Sequence, residues 1–501
     1  MSTSYRTAAA LAIGATLLAG IQTKADARGN AQQIVVAQSS DVLTLDPSID
    51  TSPISLNLFK NIYDQLTDIA ADGSVQPQLA IKWEASADTT DWVFTIRTDA
   101  KFHDGQPVTA EDVAWSYKKV LADPKSPVNA YLNNVKSVEA RGADKVHFVL
   151  NGPFAPWARQ VSLISILPQK IYEKMGSTEF AQHPVGSGAY KALAWVKDDK
   201  VELEANTAYW GGAPQIKKVI FKPVPSEASR VAGLASGELD VVPVLPPAAL
   251  QRLESAPDVR IERVKSNRVV YFGFDVRNPL FSSVKLRQAI DMSIDREAIT
   301  GKLLRGLGVP LGQMAAPVTF GYDPAIKPTA YNPTRARELV KESGYKGEPL
   351  PLQFPNNRYA FGSEVVQAAA GYMKEVGINV ELQGMEYAAF FPLWAQAKLP
   401  NMHMFAFGPS IMDADLPLRD LYGPNARGYW LNDEVQKLMA QERADSHSDK
   451  RLESIAKIWK ISQENAPYVI LYSEIQAYGI TTGLKWAPRP DERLLFGKAS
   501  F

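Results

Sequence analysis

Strand-like alternation and short apolar runs are concentrated between residues 183 and 243, near the middle of the chain. Two alternating segments flank a polar turn at residues 197–199, which predicts a β-hairpin. A strand, a short helix, the turn Ser236-Gly237 and another strand follow. This strand, helix, strand order is typical of an α/β sheet. The predicted strands are residues 190–195, 200–205, 219–223 and 239–242, and the predicted helix is residues 227–235.

The rest of the chain mixes the same two periods. Apolar residues at helical spacing predict further helices, and a capping-box pattern, Thr109 with Asp112 three positions later, marks the start of one of them. Apolar and β-branched runs between the helices predict strands. The pattern therefore predicts an α/β fold. The further helices are predicted at residues 55–66, 284–294, 335–343, 362–376, 432–443 and 452–465, and the further strands include residues 33–37, 92–97, 268–276, 351–354, 378–382, 402–407 and 468–472.

Length and charge narrow the class of protein. A chain of 501 residues is too long for one core of ordinary size, so two or more lobes are expected. Its 46% hydrophobic and 22% charged residues are typical of a globular protein and exclude a disordered chain. Lys plus Arg and Asp plus Glu balance at 54 each, which leaves no basic surface for nucleic acid.

The N-terminus predicts export. Arg6 precedes the apolar run at residues 8–21, and Ala25-Asp26-Ala27 supplies a small-residue cleavage pattern, so residues 1–27 are interpreted as a signal peptide. No later stretch is long enough to span a bilayer, and the chain has no cysteine to carry a lipid anchor. We therefore expect a soluble mature protein in the periplasm of a Gram-negative cell.

Candidate catalytic patterns are weak. The five histidines are scattered, and Gly186-Ser187-Gly188 begins like a dinucleotide loop but has Lys191 where the third glycine belongs. Met402-His403-Met404 could supply soft metal ligands, although a buried strand explains it better. We predict no metal, no cofactor and no enzyme activity. A secreted hydrolase or lyase stays as the alternative because two carboxylates such as Asp413 and Asp415 could act together.

Several blocks together resemble the family 5 extracellular solute-binding proteins, the peptide, opine and nickel-binding components of ABC importers. The resemblance runs in the family's order through nearly the whole chain after the signal peptide. Its blocks are residues 72–121, 184–242, 208–221, 282–299 and 331–345.

The resemblance implies a periplasmic-binding-protein fold of two lobes joined by a hinge, with an extra α/β domain in the first lobe. The chain would cross between lobes near residues 267–271 and 478–482. Hinge closure would bury a ligand between the lobes. The implied domain bounds are 28–62, 184–268 and 482–501 for the first lobe, 63–183 for the extra domain and 269–481 for the second lobe.

The implied function is capture of a small peptide or peptide-like solute and its delivery to ABC permease subunits in the inner membrane. The resemblance implies a monomer with no nucleic-acid partner. Dipeptide-binding members hold the peptide carboxylate with an arginine, and Arg358 stands at that place, followed by Tyr359. They hold the peptide ammonium group with an aspartate, where this chain has Ser410.

That departure leaves the ligand class open. A buried ammonium group without a carboxylate partner costs several kcal/mol, so either Asp413 takes over or the ligand lacks that amine, as an opine-like or sugar-containing solute would. Other candidate ligand-binding residues lie in the same loop or in polar and aromatic segments, where ordinary packing is the competing interpretation. They are Thr51, Ser52, Phe407, Arg427 and Trp430, the last two beside Tyr429.

Overall fold

The computed structural model describes residues 32–356, 358–359, 361–424 and 429–501. The predicted signal peptide, residues 1–27, lies outside this range, as does Arg427. Within the described part of the chain, no helix combines the length and apolar character needed to cross a membrane.

The described residues form three sheets with helices packed around them. The strands are β1 (Gln33–Gln38), β2 (Thr67–Ile69), β3 (Val75–Pro77), β4 (Ala80–Ala85), β5 (Asp91–Ile96), β6 (Val135–Arg141), β7 (Lys145–Leu150), β8 (Tyr190–Val196), β9 (Lys200–Ala205), β10 (Lys218–Pro223), β11 (Val241–Val242), β12 (Val259–Gly273), β13 (Gly308–Pro310), β14 (Leu350–Asn356), β15 (Val380–Glu386), β16 (Met402–Phe407) and β17 (Tyr468–Thr481). The helices are α1 (Pro53–Ile62), α2 (Ala110–Leu121), α3 (Trp157–Gln160), α4 (Gln169–Gln182), α5 (Glu227–Ser236), α6 (Pro247–Glu254), α7 (Pro279–Ser282), α8 (Val284–Ser293), α9 (Arg296–Ala298), α10 (Pro333–Ser343), α11 (Gly362–Glu375), α12 (Tyr387–Ala395), α13 (Asp415–Pro417), α14 (Asp433–Ala444) and α15 (Ser448–Asn465).

The largest sheet runs through both lobes in the order β15-β14-β16-β12-β17-β11-β1-β10-β9-β8. We call the half with β1 and β8–β11 the first lobe, and the half with β14–β16 the second lobe. The predicted β-α-β unit is present in the first lobe, where β10 and β11 both pair in parallel with β1. In the second lobe β14 and β15 pair in parallel around α11. The predicted α/β, two-lobed fold is confirmed.

The long strands β12 and β17 join the lobes. They pair along almost their whole length, with register shifts between Lys265 and Val269 and between Val270 and Tyr271. Gly479 and Ile480 pair with β11 of the first lobe, so β17, which begins in the second lobe, has entered the first lobe by Gly479. The sequence pattern ended this strand at residue 472 because polar side chains follow, but pairing with β12 carries it on to Thr481.

A separate four-stranded sheet, β4-β5-β7-β6, packs against α2. The predicted capping box begins this helix: the Thr109 side chain accepts a hydrogen bond from the Asp112 amide, and the Asp112 carboxylate accepts one from the Thr109 amide. The apolar face of α2, including Val113 and Tyr117, is buried in the core of this sheet. The sheet lies within the predicted extra domain, whose bounds stay a prediction.

Gly186 and Gly188 are required by packing. A Cβ atom on Gly186 would lie 2.0 Å from the carbonyl oxygen of Ile62, and one on Gly188 would lie 2.6 Å from that of Asn61. The turn is thus pressed against the end of α1, and the Gly188 amide donates to the Ile62 carbonyl. The interpretation of this segment as a turn, and not as a dinucleotide loop, agrees with its contacts.

Two histidines, the fully buried His403 and the half-buried His103, predict acid sensitivity. Burial lowers the pKa of His103 and of His403 to about 4. Between pH 6.5 and pH 4 the unfolded chain therefore binds protons that the folded protein does not. The free energy of unfolding decreases as the pH is lowered through this range, by roughly 3 kcal/mol for each histidine. Urea titrations at pH 7 and pH 4.5 measure this change. The free energy of unfolding of His103→Gln should decrease less between the two pH values than that of the wild type.

The matched control is His183→Gln, because the His183 side chain is 71% exposed. This variant should retain the wild-type loss of stability on acidification. An equally large loss in His103→Gln would contradict the prediction.

Candidate functional site

A cavity of about 100 Å³ lies where the two lobes meet the crossing strands. Leu245 of the first lobe and Leu304 and Leu307 of the second lobe form part of its apolar wall. A polar wall is supplied by β12, β17, the segment after β14 and the C-terminal segment. Its polar residues are Arg268, Arg358, Tyr359, Tyr472, Glu474, Gln476 and Glu492.

Glu492 and Arg268 form the centre of the polar wall. Arg268 Nε and Nη2 donate to the two oxygens of Glu492 at 2.9 and 2.7 Å. Gln476 and Ser266 donate to the same carboxylate at 2.7 and 3.2 Å. Burial alone would raise the pKa of Glu492, but the charge and hydrogen bonds of Arg268 outweigh it and lower the pKa to about 2. Glu492 is therefore ionised and fully paired.

Glu474 is a second, less fully paired carboxylate on the same wall. Its Oε2 atom lies 3.6 Å from Arg268 Nε and 3.4 Å from Gln476 Nε2. Burial raises the pKa of Glu474, Arg268 opposes this, and the negative charge of Glu492 adds to the rise. Two acidic side chains thus share one arginine, which satisfies Glu492 far better than Glu474.

Arg358 and Tyr359 follow β14 and line the same cavity, while their role in ligand binding stays a prediction. The exposed guanidinium carbon of Arg358 lies 5.0 Å from the centre of the Tyr387 ring and 5.5 Å from that of Tyr359. The Tyr359 hydroxyl accepts a hydrogen bond from the Ala406 amide at 3.1 Å. Within the described residues Arg358 has no ion-pair partner, so its charge is available to an anion.

The structure does not place Asp413 on this cavity. Asp413 is fully buried and paired with two arginines: Arg451 Nη2 lies 3.0 Å from Oδ1, and Arg159 Nε lies 3.3 Å from Oδ2. Arg159 belongs to α3, beside the extra sheet, whereas Asp413 and Arg451 belong to the second lobe. The expectation that Asp413 replaces the missing amine-binding aspartate is thus not supported, because its carboxylate already serves a contact between two parts of the fold.

The remaining predicted residues lie elsewhere. The Phe407 ring is buried against Trp394, 6.4 Å between centroids, and Ser410 is half-buried in the turn after β16. Trp430 is buried, with its ring 6.0 Å from that of Tyr422. These aromatic positions agree better with ordinary packing than with ligand contact.

Thr51 and Ser52 lie at the start of α1. The Ser52 hydroxyl caps this helix by accepting from the Ser55 amide at 3.4 Å, and it donates to Asp50 Oδ2 at 2.8 Å. The Thr51 side chain lies close enough to Tyr131 to lower the pKa of its hydroxyl, against the larger rise that burial causes. Both predicted ligand residues therefore have partners within the protein.

Sequence reasoning missed Arg268, Glu474, Gln476 and Glu492. A usable signal was present for two of them, because Arg268 and Glu474 are charged residues next to or inside strongly apolar strands. Within the described residues, no group of three or more His, Cys, Asp or Glu side chains is arranged to hold a metal ion.

The family assignment follows from comparison with known proteins. Residues 74–429 match the model of the bacterial extracellular solute-binding proteins, family 5, middle region. The chain belongs to this family. Members are binding proteins, and the cavity between lobes that carries a free arginine suits that role.

Similar proteins carry more specific names. The chain is 26% identical over 461 residues to the "Probable D,D-dipeptide-binding periplasmic protein DdpA" of Escherichia coli K12, covering 88% of each protein. It superposes on the periplasmic binding protein DppA of Helicobacter pylori in complex with the peptide STSA, with a TM-score of 0.79, 23% identity and coverage of 94% and 98%. It also superposes on MoaA of A. tumefaciens R10 in complex with mannopinic acid, with a TM-score of 0.77, 23% identity and coverage of 94% and 99%. The structural likenesses show the fold.

Proposed function

We propose that this protein is the periplasmic binding component of an ABC importer and that it captures a small peptide or peptide-like solute between its two lobes. It acts as a monomer, is exported by a cleaved signal peptide, and delivers the solute to permease subunits in the inner membrane. Family membership and the dipeptide-binding name of the Escherichia coli relative support this proposal.

The proposal depends most on the position of Arg358. It stands beside a cavity bounded by both lobes, with its guanidinium held over two tyrosine rings and without an ion-pair partner in the described structure. A guanidinium presents two parallel donors that match a carboxylate. Closure of the lobes over a solute would remove water from this pair and strengthen it.

The alternative is a binder of a non-peptide solute such as an opine or a sugar-containing compound. Two observations support it. Ser410 stands where the dipeptide-binding members have an aspartate, and a structural neighbour holds mannopinic acid. A hydrolase is the weaker alternative, and turnover of a bound solute would reveal it.

Mass spectrometry of the solute released when the purified protein is denatured tests these proposals directly. Binding proteins close around their ligand, so a tight solute survives purification. A released peptide supports the main proposal, whereas an opine or a sugar-containing acid supports the alternative. A bound neutral compound without a carboxylate or phosphate would contradict the role of Arg358.

Arg358→Ala should weaken binding of the released solute by at least about 30-fold, because a charge-assisted contact in a desolvated site is worth 2 kcal/mol or more. The melting temperature of the ligand-free protein should stay nearly unchanged, since the side chain is exposed. Isothermal titration calorimetry and thermal denaturation measure the two quantities. Arg337→Ala, an exposed arginine on α10, is the matched control and should bind like the wild type.

A further inference from the structure

Glu474 is a partly buried carboxylate whose ion pair with Arg268 is long. It lies on β17 where this strand crosses between the lobes, and its side chain is 17% exposed towards the cavity. Both of its nearest donors, Arg268 Nε at 3.6 Å and Gln476 Nε2 at 3.4 Å, approach the same oxygen, Oε2. Within the described residues, the Oε1 atom has no hydrogen-bond partner.

The neighbouring Glu492 explains why Glu474 has only long contacts with Arg268 and Gln476. Arg268 donates both hydrogen bonds of its guanidinium edge to Glu492, at 2.9 and 2.7 Å, and Gln476 donates to Glu492 at 2.7 Å. The positive charge of Arg268 is therefore largely used by Glu492. An ionised carboxylate held in such a place is costly unless a further cation reaches it.

Arg358, which lines the same cavity, is a cation without a paired anion in the described structure. Its guanidinium has aromatic neighbours but no carboxylate partner in the described structure, and it lies close enough to lower the pKa of both Glu474 and Glu492. The wall thus carries two positive and two negative side chains, of which one of each sign lacks full pairing. A ligand with one positive and one negative group satisfies both deficiencies without changing the net charge.

We propose that Glu474 binds the ammonium group of the transported solute while Arg358 binds its carboxylate, so that the protein selects zwitterionic solutes with a free amine. This inference rests on the proposed function and deepens it. Leu304 and Leu307 line the same cavity, so a solute that fills it would displace water from beside the charged groups and strengthen both contacts.

Matched pairs of short peptides test the inference. The probes are dialanine, D-alanyl-D-alanine, trialanine and tetraalanine, each with a free and with an acetylated amino group, titrated by calorimetry. The wild type should bind at least one free peptide about 100-fold more tightly than its acetylated partner, because acetylation removes the cation that Glu474 requires. Glu474→Gln should reduce this preference to less than about threefold.

Two further variants complete the design. Glu262→Gln, on the neighbouring strand β12 with a half-exposed side chain (45%), is the control and should keep the full preference. Glu474→Asp keeps the charge and should retain a preference for the free amine at lower affinity. Should Glu474→Gln fail to fold by circular dichroism, Glu474→Met supplies the uncharged side chain instead.

The outcomes separate the two claims. If no peptide of the panel binds to the wild type, the proposed peptide function is overturned and the role of Glu474 with it. If peptides bind but the wild type does not distinguish the acetylated forms, or the uncharged variants keep the preference, only the role of Glu474 is overturned. Loss of the preference in the uncharged variants alone supports the inference.

Discussion

Asp413→Ala should lower the free energy of unfolding by about 3 kcal/mol. Removing one partner of a buried ion pair typically costs 3–5 kcal/mol because the other charge is left without compensation. Here Arg451 and Arg159 both lose their carboxylate. The lower end of the range is expected because Arg451 keeps Glu442, whose Oε2 lies 2.8 Å from its Nη2, and Arg159 keeps the Gly73 carbonyl at 2.6 Å.

Urea denaturation followed by tryptophan fluorescence measures this change. Asp199→Ala, at an exposed aspartate in the turn between β8 and β9, is the control and should alter stability by less than about 0.5 kcal/mol. A loss of stability in Asp413→Ala no larger than in this control would show that the buried network contributes little to folding.

Arg268→Met should destabilise the protein by about 3–5 kcal/mol at pH 7, because it leaves Glu492 and Glu474 buried beside each other without their shared cation. The effect depends on pH. In the wild type the depressed pKa of Glu492, about 2, contributes stability that is present above pH 4.5 and is lost as the pH falls towards 2.

In the Arg268→Met variant the pH dependence of stability should have the opposite sign. Without Arg268 the folded state favours protonated carboxyl groups, so the folded protein binds protons more readily than the unfolded chain and regains stability when the pH falls from 7 to 5. Denaturation curves at both pH values test this. Arg263→Met is the control on the same strand, since Arg263 is half-exposed and pairs with the half-exposed Glu254. Equal destabilisation of Arg268→Met at both pH values would contradict the explanation.

Local signals in the chain predicted the elements well. Three examples are the capping box at Thr109, the Asn332 cap of α10 and Gly344, the αL glycine that ends this helix. Each of them contacts residues only a few positions away in the chain. Such contacts need no distant part of the chain, so the amino-acid pattern alone identifies them. The same holds for β16, where a short apolar run is buried along its whole length.

Interpretations that depended on distant partners were less successful. The sequence left Asp413 as a candidate ligand residue, but its carboxylate forms an ion pair with Arg159, 254 positions earlier in the chain. Ser52 looked like a cleft residue, yet it caps α1 and bonds to Asp50. Arg358 and Tyr359, which the resemblance to the family placed before the helix at residues 362–376, line the cavity together, and their role in ligand binding stays a prediction.

The sequence by itself determined the α/β elements, their order and the family, since these follow from local periodicity and from blocks of matching residues. Only the tertiary structure decided which charged groups meet at the cavity. Arg268 is far along the chain from Glu474 and Glu492, and the three are brought together by the pairing of β12 with β17 and by the return of the C-terminal segment. Glu474 and Glu492 compete for Arg268, and the outcome depends on interatomic distances that the order of residues does not give.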